Sequence, residues 1–538
     1  MGSFTENATT IPSFKMENKF LRRGCSLMLA GFFHVSPPSA VNQTIDSPST
    51  PLRVHIESEP KTLDPAQATG VREFQILQTL FEGLTRYEPR TLKPLPGVAE
   101  RWEVSPDGLR YVFYLRKDAK WSDGNPVTAA DFFNGWERLL NPKTESPYAF
   151  QLFYIKGGED YAEGKLKDPK QLGMKVLSPA VFEVVLERPV PYFLSLTSFS
   201  ALVPIRKGTE NITQITNGPF FFKSLDKTEG LLLEKNPHYW GVKEVRLPSV
   251  QFRPFGNFAT ALIFYGRTGI DIMTDLPPQQ VPMLKFRSDF RSAPMLRTEY
   301  FVVNCKKPPF DKVEVRRALA YALQRKEIAD SVLKRGDLPY GFFVPPGLPN
   351  YKSPDRPQDF APSEAKALLE KAGFDTAAPF PTLAIHFNNE PDRKLVAKAA
   401  AQMWKKTLHI DSRLVEEKWD KYLNTRHMKN FDVSWGGWIG DYLDPNTFLE
   451  LWTSDNRQNH SGWSNAAYDE LIRKAQAEQN VAEREKLFRA AEQILLDEAP
   501  IIPVLVKVKN YLIHPYIKGY YPNLLDIHPL RDVYSLRP

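Results

Sequence analysis

The sequence predicts a mixed α/β chain of two or three domains, and three observations carry that expectation. Its 538 residues exceed what one hydrophobic core ordinarily organises. Strand-like and helix-like patterns alternate in both halves, with no short internal repeat. Hydrophobic residues are 42% and charged residues 25% of the chain, the usage of a folded globular protein rather than a disordered or fibrous one.

At the N-terminus, Lys19, Arg22 and Arg23 precede an apolar run from Gly24 to Val35, and small residues close the segment at Ala40. This is the layout of a cleaved secretory signal over residues 1–40, with Met16 as an alternative start. The run, about 12 residues, is too short to span a bilayer, so a product exported beyond the cytoplasmic membrane is expected. Residues 41–51 are polar and rich in Pro and Ser, a flexible leader. Cys25 lies in the signal, which leaves Cys305 without a disulfide partner and best read as a small buried filler.

Leu52–Ile56 alternates apolar and basic residues, as a short strand does. A hairpin is expected between Trp102 and Leu115: Ser105-Pro106-Asp107-Gly108 supplies the turn, and Tyr111, Phe113 and Leu115 share one face. Val181–Leu186 reads as another strand, and Trp102, Trp121 and Trp136 as core. In the second half, Asp311 is placed to cap a helix that runs to Gly336, and Ser363 to open one closed by Gly373. Residues 391–407 and 465–498 are helical, the latter interrupted near Asn480, and Leu383–Phe387 and Phe431–Trp435 are strands.

The net charge of +7 comes from 70 basic and 63 acidic residues intermixed along the chain. Without a localised basic stripe, nucleic acid is not an expected partner. The chain has neither a G-x-S-x-G elbow nor an H-E-x-x-H zinc pair. Gly158 to Lys165 misses the phosphate-loop spacing, and Asp441, Asp444 and Asn446 miss the intervals of a calcium loop. No catalytic residue, metal or cofactor is expected. Aromatic residues, 12% of the chain, are the feature that remains, and they gather with glycines from Trp435 to Tyr442. Glycines let a backbone approach a ligand closely, tryptophans provide flat walls, and Asp441 among them would be partly desolvated and favour a cation. The competing reading is a buried turn in which Asp441 caps a helix near Pro445.

Motifs along nearly the whole chain carry a family resemblance: TLDPAQATGV (62–71), LFEGLTRYEP (80–89), NPKTESPYAF (141–150), ERPVPYF (187–193), NCKKPPFDKVEVRRALAYAL (304–323) and GWIGDYLDP (437–445). The sequence resembles the periplasmic oligopeptide-binding proteins of the family 5 extracellular solute-binding proteins, which serve ATP-driven importers. The resemblance implies a periplasmic location and a two-lobed periplasmic-binding-protein fold of three domains closing on a cleft. Domain I would take residues 41–81, 203–296 and 507–538, domain II 82–202, and domain III 297–506.

It also implies a site. Asp441 after Gly437-Trp438 matches the aspartate that pairs with a ligand α-ammonium, and Gly437 and Ile439 match groups that pair with the peptide main chain. Thr69, Gly70 and Val71 would lie on the opposite lobe, with Tyr148 and the pocket tryptophan Trp419. The family's paired cysteines are absent around Ile439 and Leu296–Glu299. Trp435 stands where an arginine serves the peptide carboxylate in relatives, and Arg393 falls near a histidine of similar role. The implied partners are short peptides and the permease and ATPase subunits of an ABC importer, with the chain itself a monomer. The alternatives are a family member tuned to murein peptide, dipeptide, haem or a nickel complex, and a secreted peptide hydrolase.

Overall fold

A computed structural model describes residues 50–208, 212–274 and 276–537; the expected signal, Cys25 and nearly all of the leader lie outside the described residues. In chain order, β1 (Leu52–Ile56) and α1 (Val71–Leu80) precede a hairpin of β2 (Ala99–Val104) and β3 (Arg110–Leu115). Next come α2 (Ala129–Leu140) and the pair β4 (Met174–Ser178) and β5 (Val181–Val185). The order β2-β3-β5-β4 makes a four-stranded antiparallel sheet. The hairpin turns where expected, with Gly108 at φ 70°, a backbone conformation that favours glycine. A capping box starts α2, the Asp131 carboxylate accepting the Thr128 N–H at 2.8 Å.

The chain then builds β6 (Phe220–Asp226), β7 (Gly230–Lys235), β8 (Ser249–Pro254), β9 (Ile272–Met273) and the long β10 (Phe290–Val303). After α3 (Val313–Tyr321) and α4 (Pro362–Lys371) come β11 (Leu383–Asn388), α5 (Pro391–Leu408), β12 (Ser412–Glu417), α6 (Trp419–His427) and β13 (Val433–Ile439). Helices α7 (Ala466–Ala477) and α8 (Val481–Glu498) lead into the long β14 (Ile501–Ile513). The main sheet runs β12-β11-β13-β10-β14-β9-β1-β8-β7-β6, and Leu338–Pro339 also pairs with β14, giving eleven strands. At its centre β10 and β14 are antiparallel, with register breaks between Pro294 and Thr298 and between Glu299 and Tyr300.

Separate cores lie along this sheet. One draws on residues 52–272 and 511–533, around Trp121, Trp136, Phe113 and Phe132, and takes in Tyr442. Two others draw on residues 296–505, one around Trp404, Trp435 and Phe301 and the other around Trp452, Phe448 and Tyr468. Trp136 also satisfies its indole, donating from Nε1 to the Leu202 carbonyl at 3.0 Å. Trp121 and Trp136 are core as expected, but Trp102 is only partly buried.

Several boundaries differ from the sequence reading. The helix expected from Asp311 to Gly336 stops at Tyr321 and is preceded by Lys312, not Asp311. The chain then makes a single turn, Arg325–Glu327, and a π-type segment, Ile328–Leu333. Arg325 explains the break: its buried guanidinium donates to the Ala320, Leu323 and Pro503 carbonyls, drawing the backbone out of the regular ladder. Helix α4 opens with Pro362, which needs no N–H partner there, so Ser363 is not the cap. The break at Asn480 is real, since its side chain caps α8 by accepting the Ala482 N–H at 3.0 Å. The strand expected at Phe431–Trp435 instead spans Val433–Ile439, which puts Gly437, Trp438 and Ile439 on the strand itself.

Candidate functional site

One wall is built just before α1. Arg138 grips the Asp64 carboxylate with both Nη atoms, Nη1 at 2.8 Å, and Asp64 in turn accepts the Ala66 N–H at 3.0 Å. This pins the loop carrying Thr69, Gly70 and Val71. Gly70 leaves room for the Glu73 carboxylate, which folds back beneath it and accepts the Lys61 N–H at 3.0 Å. Thr69 is exposed and Val71 is 47% exposed, so both are available to a ligand.

The other wall is β13. Along it β10 pairs continuously, setting Gly437 opposite Glu299, Trp438 opposite Thr298 and Ile439 opposite Arg297. On its other side β11 pairs only with Val433 and Ser434. From Gly436 to Ile439 that edge therefore carries no strand among the described residues. Ile439 is 48% exposed, whereas Trp438 packs partly against the core around Trp452. Gly440 is required where the strand ends, because a Cβ there would come within 2.6 Å of Leu296 Cδ2.

Asp441 follows immediately. Its N–H donates to Thr447 Oγ1 at 3.1 Å, while its carboxylate has no hydrogen-bond or ion-pair partner among the described residues. Burial, helped by the Glu450 charge, pushes that carboxyl up to about 7. Asp441 does not cap the following helix: Asp444 accepts the Asn446 N–H at 2.9 Å instead. Tyr442 stacks on Tyr192, with centroids 3.8 Å apart and rings 9° from parallel, and donates to Glu450 at 2.9 Å. Tyr148 lies close by among Phe74, Phe150 and Phe199, its phenol pushed up to about 12 by burial and then by the Asp441 charge.

These walls face a cavity of about 540 Å³ whose lining includes Val71, Ile439, Arg297, Arg335 and Lys507. A smaller one of about 160 Å³ is lined by Gly70, Val71 and Glu73. Another of about 440 Å³, between Thr91–Pro94 and Arg484–Phe488, contains none of the expected site residues. Arg393 lies beside the main cavity's wall, 3.5 Å from Glu299 and 3.3 Å from Glu390. Trp419 stands apart from these cavities, 55% exposed at the start of α6 and stacked on Tyr422.

Sequence reasoning missed the charged cluster in the cleft. Glu299 is buried, which alone would raise its carboxyl, but Arg297, Arg393, Lys507 and Arg335 overrule burial and bring it down to about 2. Arg335 also pairs with Asp337 and Asp392. The signal was present as period-two charge, Arg297 with Glu299 and Lys507 with Lys509, each pair on one strand face. Cys305 is half-buried against the core around Trp452, its thiol pushed up to about 11 chiefly by burial, which suits packing and not nucleophilic attack.

Val71 of the exposed loop and Ile439 of the open strand edge line one cavity, and the unneutralised Asp441 carboxylate follows that edge by two residues without being part of the cavity's lining. Comparison with known proteins supplies the class. Residues 93–460 match the family described as bacterial extracellular solute-binding proteins, family 5. The periplasmic murein peptide-binding protein MppA of Escherichia coli is 34% identical over 531 residues, covering 95% of this chain and 98% of that protein. The periplasmic oligopeptide-binding protein OppA of Salmonella typhimurium is 36% identical over 483 residues, covering 86% and 88%. Among solved structures, the unliganded open form of MppA superposes with a TM-score of 0.82 at 34% identity, covering 90% of this chain and 97% of that one. Haemophilus influenzae OppA in complex with RPPGFSPFR gives 0.71 at 32% identity, covering 90% and 99%. The chain belongs to the family 5 bacterial extracellular solute-binding proteins. No helix among the described residues is long and apolar enough to cross a membrane.

Proposed function

We propose that this chain captures short peptides outside the cytoplasmic membrane and delivers them to a permease–ATPase importer. The observation that carries the reading is Asp441, a carboxylate held partly out of water with no cation beside it among the described residues. A free peptide α-ammonium supplies the missing charge through a charge-assisted hydrogen bond. The uncovered edge of β13 at Gly437 and Ile439, with Thr69–Val71 opposite, suits an extended chain added as a strand. Main-chain bonding holds many sequences alike, which is what a nutrient scavenger needs.

The cores at 52–272 and 296–505 are read as two lobes, joined where β10 and β14 run side by side. A ligand touching both lobes binds the closed arrangement better and shifts the balance towards it. The superpositions support an open arrangement here: MppA matches at 0.82 in its unliganded open form and at 0.74 in a second structure, both at 34% identity. Relatives named for murein peptide, oligopeptide and dipeptide binding support a peptide ligand. Calorimetric titration with free and N-acetylated tetrapeptides tests the assignment. Acetylation or Asp441→Asn is expected to cost a few hundredfold in affinity, since stranding one member of a buried charge pair costs about 3–5 kcal/mol. Equal affinity for acetylated peptides would remove Asp441 from the site.

A further inference from the structure

Beside Ile439 the cleft has a cationic wall that the α-ammonium site does not use. Arg335 is saturated, donating to Glu299 Oε2 at 3.0 Å and pairing with Asp337 and Asp392. Its neighbours are not. Arg297 commits Nη2 to Glu299 at 2.9 Å and leaves its buried Nε without a partner. Lys507 lines the same cavity as Val71 and Ile439 but makes neither a hydrogen bond nor an ion pair with the described residues. Burial pushes its amine down to about 8 despite the pull of Glu299 and Asp337. A cation is costly in such a place unless an anion arrives.

Among the described residues, the cleft's other acids do not answer it. Asp526 is taken up by Lys509 at 3.3 Å, His528 at 2.8 Å and Tyr511 at 2.6 Å, while Glu57 is exposed and faces Arg72 at 4.0 Å. Glu390 reaches Arg393 from an exposed position, where screening leaves it little weight. The geometry also says which part of a ligand would arrive. Ile439 is two residues before Asp441, and a strand rises about 3.3 Å per residue, so a peptide anchored at Asp441 passes Ile439 with its second or third residue. Arg297 is directly opposite Ile439, and Lys507 follows on the adjoining strand β14.

We infer that Lys507 and Arg297 form an anion subsite, so that the cleft prefers peptides carrying a side-chain carboxylate at the second or third residue. The inference rests on the peptide reading and adds a substrate class to it. The test is titration calorimetry with Ala-Glu-Ala-Ala and Ala-Ala-Glu-Ala against the same tetrapeptides with Gln for Glu. At least one acidic peptide is expected to bind about tenfold or more tightly than its neutral twin, the gain of a hydrogen bond to a charged group. In Lys507→Gln the ratio of the two dissociation constants collapses towards one, and Lys507→Arg keeps it. Circular dichroism confirms that each variant is folded. Equal binding of acidic and neutral peptides by the parent chain, or an undiminished ratio in folded Lys507→Gln, overturns the subsite and leaves the peptide reading standing. Failure of all four peptides to bind overturns the peptide reading itself and the subsite with it.

Discussion

If Asp441 is the α-ammonium partner proposed above, its raised carboxyl makes peptide capture a proton-releasing event. In the empty cleft this group holds its proton up to about pH 7, well above an ordinary aspartate, because burial and the Glu450 charge disfavour the anion. An arriving α-ammonium favours the anion and expels that proton, so affinity rises with pH until the site is already ionised. With a bound-state value below about 4, the penalty on binding is about 30-fold at pH 5.5 and close to unity at pH 7.5, a net gain of about 25-fold. Above about pH 8 the peptide amine loses its own proton and affinity falls again. Titration calorimetry in buffers of different ionisation enthalpy reads the protons directly: nearly one released per peptide at about pH 5.5, and close to none at about pH 7.5, where release from Asp441 is offset by uptake on the partly deprotonated peptide amine. The same raised value makes the empty fold most stable, for this group, at acid pH, and costs it stability as pH rises through about 7. Glu450 is a second burial-raised carboxyl nearby, steadied by hydrogen bonds from Tyr442 and Asn446. The Asp441→Asn variant separates the two. A flat affinity between about pH 5.5 and 7.5, or proton release persisting in Asp441→Asn, would refute the assignment of the titrating group.

Three further outcomes follow from the packing. Glu299→Gln strands Arg297 and removes the anion it shares with Arg335 and Arg393, which keep Asp337, Asp392 and Glu390, and is expected to cost about 3–5 kcal/mol, read from urea unfolding. Because Glu299 is held down at about 2, its contribution is full above its unfolded value and is lost as pH falls through about 2, so acid unfolding of the variant should be less steep. Trp136→Ala empties a fully buried site and breaks the indole bond to Leu202, with an expected loss of about 3–5 kcal/mol in thermal or urea unfolding. Replacing Tyr192 and Tyr442 singly and together by Leu in a double-mutant cycle should return a coupling of about 0.5–1.5 kcal/mol in the ligand-free protein; a value near zero would mean the stack does not tie the two segments.

What was legible in the sequence was what short-range physics decides. The 105–108 turn, the Asn480 break and the strand at Leu383 each depend on residues within a few positions, and each stands close to where it was expected. The helix after Asp311 was misread because its interruption is tertiary: the Pro503 carbonyl that draws Arg325 inward lies 178 residues away. The cluster around Glu299 was hidden for the same reason, its members being spread over β10, the 335–337 turn, α5 and β14. Asp441 stood out in the sequence because glycines and tryptophans surround it, yet its chemistry comes from the sheet. β11 stops pairing after Ser434 while β10 continues to Ile439, so one edge of β13 is opened just before the carboxylate. An open edge can accept an added strand, and an unpaired desolvated carboxylate favours a cation; the proposed peptide N-terminus would supply both. Arg297 lies on β10, the strand that pairs with this edge, and Lys507 on β14 beside it, so the proposed charge recognition and the proposed backbone recognition rest on one paired stretch of sheet.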